Sequence, residues 1–155
     1  MFALTLSCNQ QNKQYDDSYA ETILLQYLTT VNNPQGTCLN LIANKDTCFT
    51  TSGLATNSTE AEKNAQCTTM RTSSQYNTMS TISQTCVFDC QSKDWSYKQS
   101  SGECKTSNIT SLVISSLSNN VVLSCIRSCF SPTSNIVTNE NAAQLLLFNI
   151  IQNGD

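Results

Sequence analysis

The sequence contains no histidine, and this absence excludes several kinds of chemistry. Histidine is the commonest general base, and Ser-His-Asp and Cys-His catalytic sites both depend on it. Carboxylate pairs remain, and the closest candidates are Glu60 with Glu62 and Asp89 with Asp94. We interpret the first pair as charges favoured at a helix N-terminus and the second as solvated charges of a loop and a helix end. We therefore expect a protein that is not an enzyme and that uses no cofactor.

Charged residues, glycine and proline are also scarce. Only 12% of the residues are charged, the net charge is -3, and the eight Lys and Arg residues are scattered singly. Without a basic stripe, we expect neither nucleic acid nor an anionic membrane surface as a partner. A hydrophobic content of 39%, with four Gly and two Pro, favours a folded chain over a disordered one. The length of 155 residues suits a single domain.

Cysteine, in contrast, is abundant, with nine residues in the chain. Neither zinc nor a thioredoxin-type redox pair is expected, because the chain has no Cys-x-x-Cys motif and no histidine. Disulfide bonds are the remaining interpretation, and they require an oxidising compartment. Setting aside the N-terminal Cys8, we expect four disulfides from Cys38, Cys48, Cys67, Cys86, Cys90, Cys104, Cys125 and Cys129.

The N-terminus agrees with export from the cell. MFALTLSC is followed abruptly by the polar NQQNKQYDDS, which resembles the end of a signal peptide. We expect residues 1–12 to be a signal remnant with a polar lead-in and residues 13–155 to form the helical domain. A bacterial lipoprotein signal with Cys8 lipidated is the alternative, although Thr5 stands where leucine is usual. Asn57 and Asn108 begin glycosylation sequons, so we expect a secreted or cell-surface glycoprotein with no membrane span.

The first half of the chain carries clear helix start signals. Ser18 and Glu21 form a capping box before an apolar stripe that ends at Asn32. Asn33 and Pro34 suit the start of a second helix that ends near Cys48. Asn57 or Thr59 should cap a third helix with an acidic residue three positions on. The polar run over 61–90 predicts two helices or one bent helix.

The second half contains a predicted loop and two further helices. Residues 91–105 lack periodicity and carry the only tryptophan, so we expect a surface loop there, with Trp95 either exposed to a partner or folded down over a disulfide. Thr106 or Ser107 should cap a continuous fourth helix that Pro132 stops. Apolar residues repeat along it every four positions, namely Ile109, Val113, Leu117, Val121, Cys125 and Cys129. The apolar segment 139–151 predicts a last helix that is either buried in the core or packed against a partner. Overall the pattern indicates an all-α, disulfide-stapled bundle of about five helices.

CVFDC at 86–90 and CIRSC at 125–129 are two cysteine pairs with the same spacing. They resemble the paired motifs of the small mitochondrial intermembrane-space chaperones, in which two such pairs clamp a helical hairpin. A continuous helix over 107–130 would carry Cys125 far from a chain turn placed just after Cys90. We therefore predict other pairings, with Cys67 bonded to Cys125 or Cys129 and Cys104 bonded to Cys86 or Cys90. Cys38 and Cys48 would then tie the second helix to the rest.

The series Cys48, Cys67, Cys86, Cys90, Cys104 and Cys125 is loosely similar in its order of gaps to the elicitins. This resemblance implies a secreted helical protein that carries sterols. Two functions follow as hypotheses. The first is recognition, signalling or extracellular assembly, by an unknown protein partner or by self-assembly, through Trp95, Tyr97 and Leu147. The second is transport of a sterol or fatty acid in a cavity lined by Leu112, Val113, Leu117, Leu145, Leu146 and Phe148.

Overall fold

The computed structural model describes residues 32–54, 58–131, 134, 136 and 138–151. The chain divides into a unit Met1–Asn32 and a unit Asn33–Asp155, and the fold described below belongs to the second. The predicted signal remnant, the first helix with its Ser18 cap, Cys8 and Asn57 lie outside the described residues.

Within the described ranges the chain is all-helical and has no strand, as the sequence predicted. The sequence predicted about five helices for the whole chain, including a first helix outside these ranges, whereas the described residues alone form seven helices. They are α1 Pro34–Thr51, α2 Glu60–Thr72, α3 Thr81–Ser101, α4 Glu103–Thr106, α5 Ile109–Leu117, α6 Asn120–Ser128 and α7 Asn139–Ile151. The number differs because the predicted loop over 91–105 is helical and the predicted fourth helix is divided in two.

The first two described helices begin where local signals place them. The Asn33 side chain accepts a hydrogen bond from the Gly36 amide, and Pro34 occupies the first position of α1. Thr59 and Glu62 form a reciprocal capping box at the start of α2. These caps involve residues three or fewer positions apart, so the sequence contains all the information they need.

The expected surface loop over 91–105 is wrong. α3 passes through this segment to Ser101 and ends at Gly102, which has a left-handed φ of 82°. Trp95 is wholly buried on this helix and packs edge-on against Phe49 of α1, with ring centroids 5.3 Å apart. Its proposed role in partner binding is therefore excluded, because the indole belongs to the core between α1 and α3.

The predicted continuous helix up to Pro132 is also wrong. Asn108, and neither Thr106 nor Ser107, caps α5. Asn119 then caps α6, because its side chain accepts hydrogen bonds from the backbone amides of Val121 and Val122. The axes of α5 and α6 differ by 53° across this break. Val121 consequently leaves the expected buried stripe and is 78% exposed.

All eight cysteines that the sequence analysis selected are bonded in four disulfides. The pairs are Cys38–Cys67, Cys48–Cys104, Cys86–Cys129 and Cys90–Cys125. As expected, Cys38 and Cys48 tie α1 to other helices, in this case to α2 and α4. The predicted pairings of Cys67 and Cys104 with cysteines of the two CxxxC motifs are wrong.

The two CxxxC motifs instead clamp α3 to α6. Cys86 and Cys90 lie in the first half of α3, and not at a helix C-terminus, because this helix continues to Ser101. α5 and α6 can therefore return along α3 and bring Cys125 back to Cys90. The sequence predicted that Cys125 would lie far from Cys90, because that prediction placed a turn of the chain directly after Cys90.

The largest helix–helix packing in the described fold joins α1 to α3, and α6 and α7 also pack together. Tyr76, which lies between α2 and α3, is wholly buried and stacks on Phe88. Asn149 of α7 donates hydrogen bonds to the Tyr76 hydroxyl and to the Gln91 side chain. Burial raises the pKa of Tyr76, which keeps the phenol neutral in the core.

Candidate binding surface

The residues predicted to line a lipid cavity pack in or against the core of the described part of the chain. Leu112, Leu145 and Leu146 are buried in the main core, and Val113, Leu117 and Phe148 are half-buried and pack against it.

Leu147 lies at the surface of α7 with 36% exposure. Tyr97 is 63% exposed, so it is available for binding although Trp95 is not.

Tyr97 forms part of a groove between α3 and α6. The groove has a volume of about 490 Å³ and is lined by Cys90, Lys93, Asp94, Tyr97, Asn119, Val121, Val122 and Cys125. The four lining residues of α3 are spaced at positions i, i+3, i+4 and i+7, so they share one helix face. The other four belong to α6 and its N-cap. We refer to these eight residues as the α3/α6 groove.

The α3/α6 groove exists because of the break between α5 and α6. The apolar spacing in the sequence predicted that Val121 would lie in a buried stripe. The 53° bend instead exposes the Val121 side chain beside Val122 of the groove. The run Ser118-Asn119-Asn120 was the available signal, since asparagine favours helix N-caps over helix interiors. The Cys90–Cys125 disulfide joins the two sides of the groove covalently.

Asp94 lies at the base of this groove and is almost completely buried. Its Oδ1 accepts hydrogen bonds from Lys98 Nζ at 2.8 Å and from Asn119 Nδ2 at 3.3 Å, while its Oδ2 accepts one from Ser116 Oγ at 2.6 Å. Asp94 is therefore not the solvated charge that the sequence predicted. The carboxylate instead joins α3 to the end of α5 and the cap of α6.

The remaining acidic candidates for catalysis also have structural partners. Asp89 forms an exposed ion pair with Lys93, with 2.6 Å between Oδ2 and Nζ. Glu60 pairs with Lys63 at 2.9 Å. Glu62 caps α2, and hydrogen bonds from Thr59 hold the pKa of its carboxyl below its usual value.

A buried lysine lies apart from the lining of the groove. Lys45 of α1 is buried, with its Nζ 5.7 Å from the centroid of the Phe49 ring. Burial lowers the pKa of Lys45 to about 8, and the charge of the adjacent Asp46 opposes this effect. Within the described part of the chain, Asp46 Oδ2 is buried and has no hydrogen-bond partner.

Three cysteine sulfurs also come close together. The sulfurs of Cys86, Cys90 and Cys129 lie within 4.8 Å of one another. Each of the three is bonded in a disulfide, so their proximity follows from the contact between the two bridges of the clamp.

Asn108 is the one predicted glycosylation site that lies in the described part of the chain. It is exposed, and its Oδ1 accepts a hydrogen bond from the Ser111 amide at 2.8 Å. The side-chain amide nitrogen, which is the atom that glycosylation would modify, takes no part in that hydrogen bond.

Across the described ranges, no single helix is long and apolar enough to cross a membrane, whereas the bent pair α5 and α6 meets the length and composition test together. Comparison with known proteins found no matching family model, no matching curated protein and no matching solved structure.

Proposed function

We propose that this chain is a non-enzymatic, secreted or cell-surface protein that acts in recognition, signalling or extracellular assembly. The observation that carries the proposal is the exposure of two large apolar residues, Tyr97 and Val121, on a groove whose sides are covalently joined. Rigid aromatic and aliphatic groups on an ordered surface provide binding energy at a low entropic cost. The partner surface is therefore assigned to the α3/α6 groove rather than to Trp95.

Four disulfides support the proposed extracellular location. Each typically contributes about 2–4 kcal/mol, largely by restricting the unfolded chain. Such bonds form and persist mainly in oxidising compartments. The exposed sequon at Asn108 is compatible with glycosylation on this route, and a mass shift removed by glycosidase treatment of the natively produced protein tests that part of the proposal.

The groove assignment is tested with fluorescently labelled protein titrated onto intact cells of the source organism. We expect Tyr97→Ala to weaken binding by about 30-fold or more, the loss that defines an interface hot spot. Ile114→Ala is the matched control, because Ile114 is 59% exposed on α5 but does not line the groove. Equal binding by both variants and the wild type would refute the assignment.

Self-assembly is tested through Leu147, an exposed apolar residue of α7. If copies of the chain associate through this helix, sedimentation velocity will show concentration-dependent oligomers in the wild type and monomers for Leu147→Asp. Oligomers that persist in Leu147→Asp and disappear in Tyr97→Ala would instead place the contact at the groove.

Carriage of an apolar ligand is the second candidate function. Three of the predicted lining residues are buried in the core and the other three are half-buried against it, so we do not assign the ligand to them. The α3/α6 groove supports this second function, because its volume of about 490 Å³ lies within the range of roughly 300–1,000 Å³ that is typical of pockets for drug-sized ligands.

A further inference from the structure

We propose that the α3/α6 groove binds an uncharged, predominantly apolar small molecule. This inference rests on the proposed function, in which the groove is the recognition surface, and names the class of its ligand. The proposed ligand site also differs from the cavity of six residues that the sequence predicted.

The shape and chemistry of the groove fit such a ligand. Val121 and Val122 contribute aliphatic surface from α6, and Tyr97 contributes an aromatic ring from α3. The Cys90–Cys125 disulfide adds a further apolar wall and joins the two helices. A preformed apolar cleft loses little conformational freedom on binding, so contact with these groups is retained as affinity.

The charges at the groove indicate that the ligand is neutral. Lys93 and Asp94 are the charged residues of its lining, and each has a partner of opposite charge within the chain, Asp89 and Lys98 respectively. A charged ligand would lose its hydration without gaining an unpaired counter-charge. An uncharged ligand avoids this cost.

The polar groups at the base are also occupied. Asn119 Oδ1 accepts hydrogen bonds from the Val121 and Val122 amides, and its Nδ2 donates to Asp94. Asp94 also accepts hydrogen bonds from Ser116 and Lys98. The polar groups at the base of the groove therefore need no hydrogen bond from the ligand, and apolar contacts hold the ligand in place.

The position of the only tryptophan allows a direct test on the intact, oxidised protein. Trp95 lies two positions from Tyr97 on α3, so a dye in the groove will receive excitation energy from it. The probe is N-phenyl-1-naphthylamine, which is neutral and fluoresces on transfer to an apolar site. We expect saturable binding at one dye per chain, with quenching of the Trp95 emission.

Variants locate the bound dye. Val121→Asp places a charge in the groove at a site that is exposed in the free protein, so it should weaken dye binding at least about 10-fold without unfolding the chain. Ile114→Asp adds the same charge outside the groove and should bind the dye like the wild type. Equal binding by the two variants would overturn the inference, as would the absence of binding to the wild type.

Competition tests the charge of the ligand. Decanol, decanoate and decylammonium share one apolar chain and differ in head-group charge. We expect decanol to displace the dye at a concentration at least about 10-fold below that of either ion. Displacement by decanoate or decylammonium at a lower concentration than decanol would overturn the assignment of a neutral ligand.

Failure of this inference is distinguishable from failure of the proposed function. If no dye binds but cell binding still depends on Tyr97, the ligand class is wrong and the recognition surface stands. If cell binding is also unchanged by Tyr97→Ala, the proposed function through this groove fails as well.

Discussion

The Sγ atom of Cys90 lies 3.8 Å from the Sγ atom of Cys129, although these cysteines belong to different disulfides. The Cys86–Cys129 and Cys90–Cys125 bridges therefore touch. Cys86 and Cys90, one turn apart on α3, bond to Cys129, the C-cap of α6, and to Cys125 within α6, and the sulfurs of Cys86, Cys90 and Cys129 lie within 4.8 Å of one another. A thiol released from one bridge is thus positioned to attack the other.

Replacement of Cys86 tests this contact. In Cys86→Ser the unpaired Cys129 thiolate is expected to attack Cys90, form Cys90–Cys129 and release Cys125 as a thiolate. Peptide mapping at pH 8 should detect both the original Cys90–Cys125 bridge and the new one. Cys8 is the ninth cysteine of the sequence, so the experiment is made in a Cys8→Ser background.

Cys38→Ser provides the comparison, since it frees Cys67. Cys67 belongs to no cluster of three sulfurs within the described ranges, so its release should leave the other three bridges intact. A map of Cys86→Ser that contained only Cys90–Cys125 would show that the two bridges of the clamp do not exchange.

The buried Asp94 carboxylate should contribute more to the free energy of unfolding than a solvated surface charge would. Asp94→Asn leaves the Lys98 ammonium buried without its counter-charge, and we expect a loss of about 3–5 kcal/mol in the free energy of unfolding. Adding Lys98→Met removes the uncompensated charge and should restore most of that loss. Urea denaturation measures both effects.

The exposed ion pair of α3 serves as the reference. Asp89→Asn removes one partner of Lys93 at the surface, where such pairs contribute about 0–1 kcal/mol. A similar loss for Asp89→Asn and Asp94→Asn would contradict the burial of the Asp94 network.

Lys45 should make stability depend on pH. Its pKa is about 8 in the folded state against an ordinary value of 10.5, so between these values the unfolded chain holds a proton that the folded chain lacks. Raising the pH through this window therefore stabilises the fold. We expect the free energy of unfolding to increase by about 1–2 kcal/mol between pH 7.5 and 9.5.

The Lys45→Met variant isolates this contribution, because methionine fills similar space without a proton to lose. It should be more stable than the wild type at pH 7.5, and the difference should shrink towards pH 9.5. Measurements stop below pH 10, where the raised pKa of Tyr76 makes ionisation of the unfolded chain favour unfolding. Parallel pH profiles for the two proteins would refute the role of Lys45.

Adjacent valines test the break between α5 and α6. Val122→Ser alters a buried residue and should lower the free energy of unfolding by about 1–3 kcal/mol. Val121→Ser alters an exposed residue and should change it by at most about 0.5 kcal/mol. A continuous helix, with Val121 in its buried stripe, would give Val121→Ser the larger effect.

The sequence by itself determined the features that depend on near neighbours and on composition. Asn33 with Pro34, and Thr59 with Glu62, start helices through contacts made within one turn. The all-helical class follows from helical spacing and the absence of convincing alternation. The cysteine content, without histidine or Cys-x-x-Cys, indicated disulfides rather than metal, and all eight selected cysteines are bonded.

Tertiary structure alone decided the features that join distant parts of the chain. Whether 91–105 forms a loop or a helix depended on Phe49, which packs on Trp95 from α1. Eight cysteines allow 105 pairings, and the choice among them depended on how far α3 continues past Cys90. The groove required the Asn119 break and the return of α6 along α3 together. Local preference cannot resolve such features, because the energy that selects them comes from contacts formed only after the helices have packed.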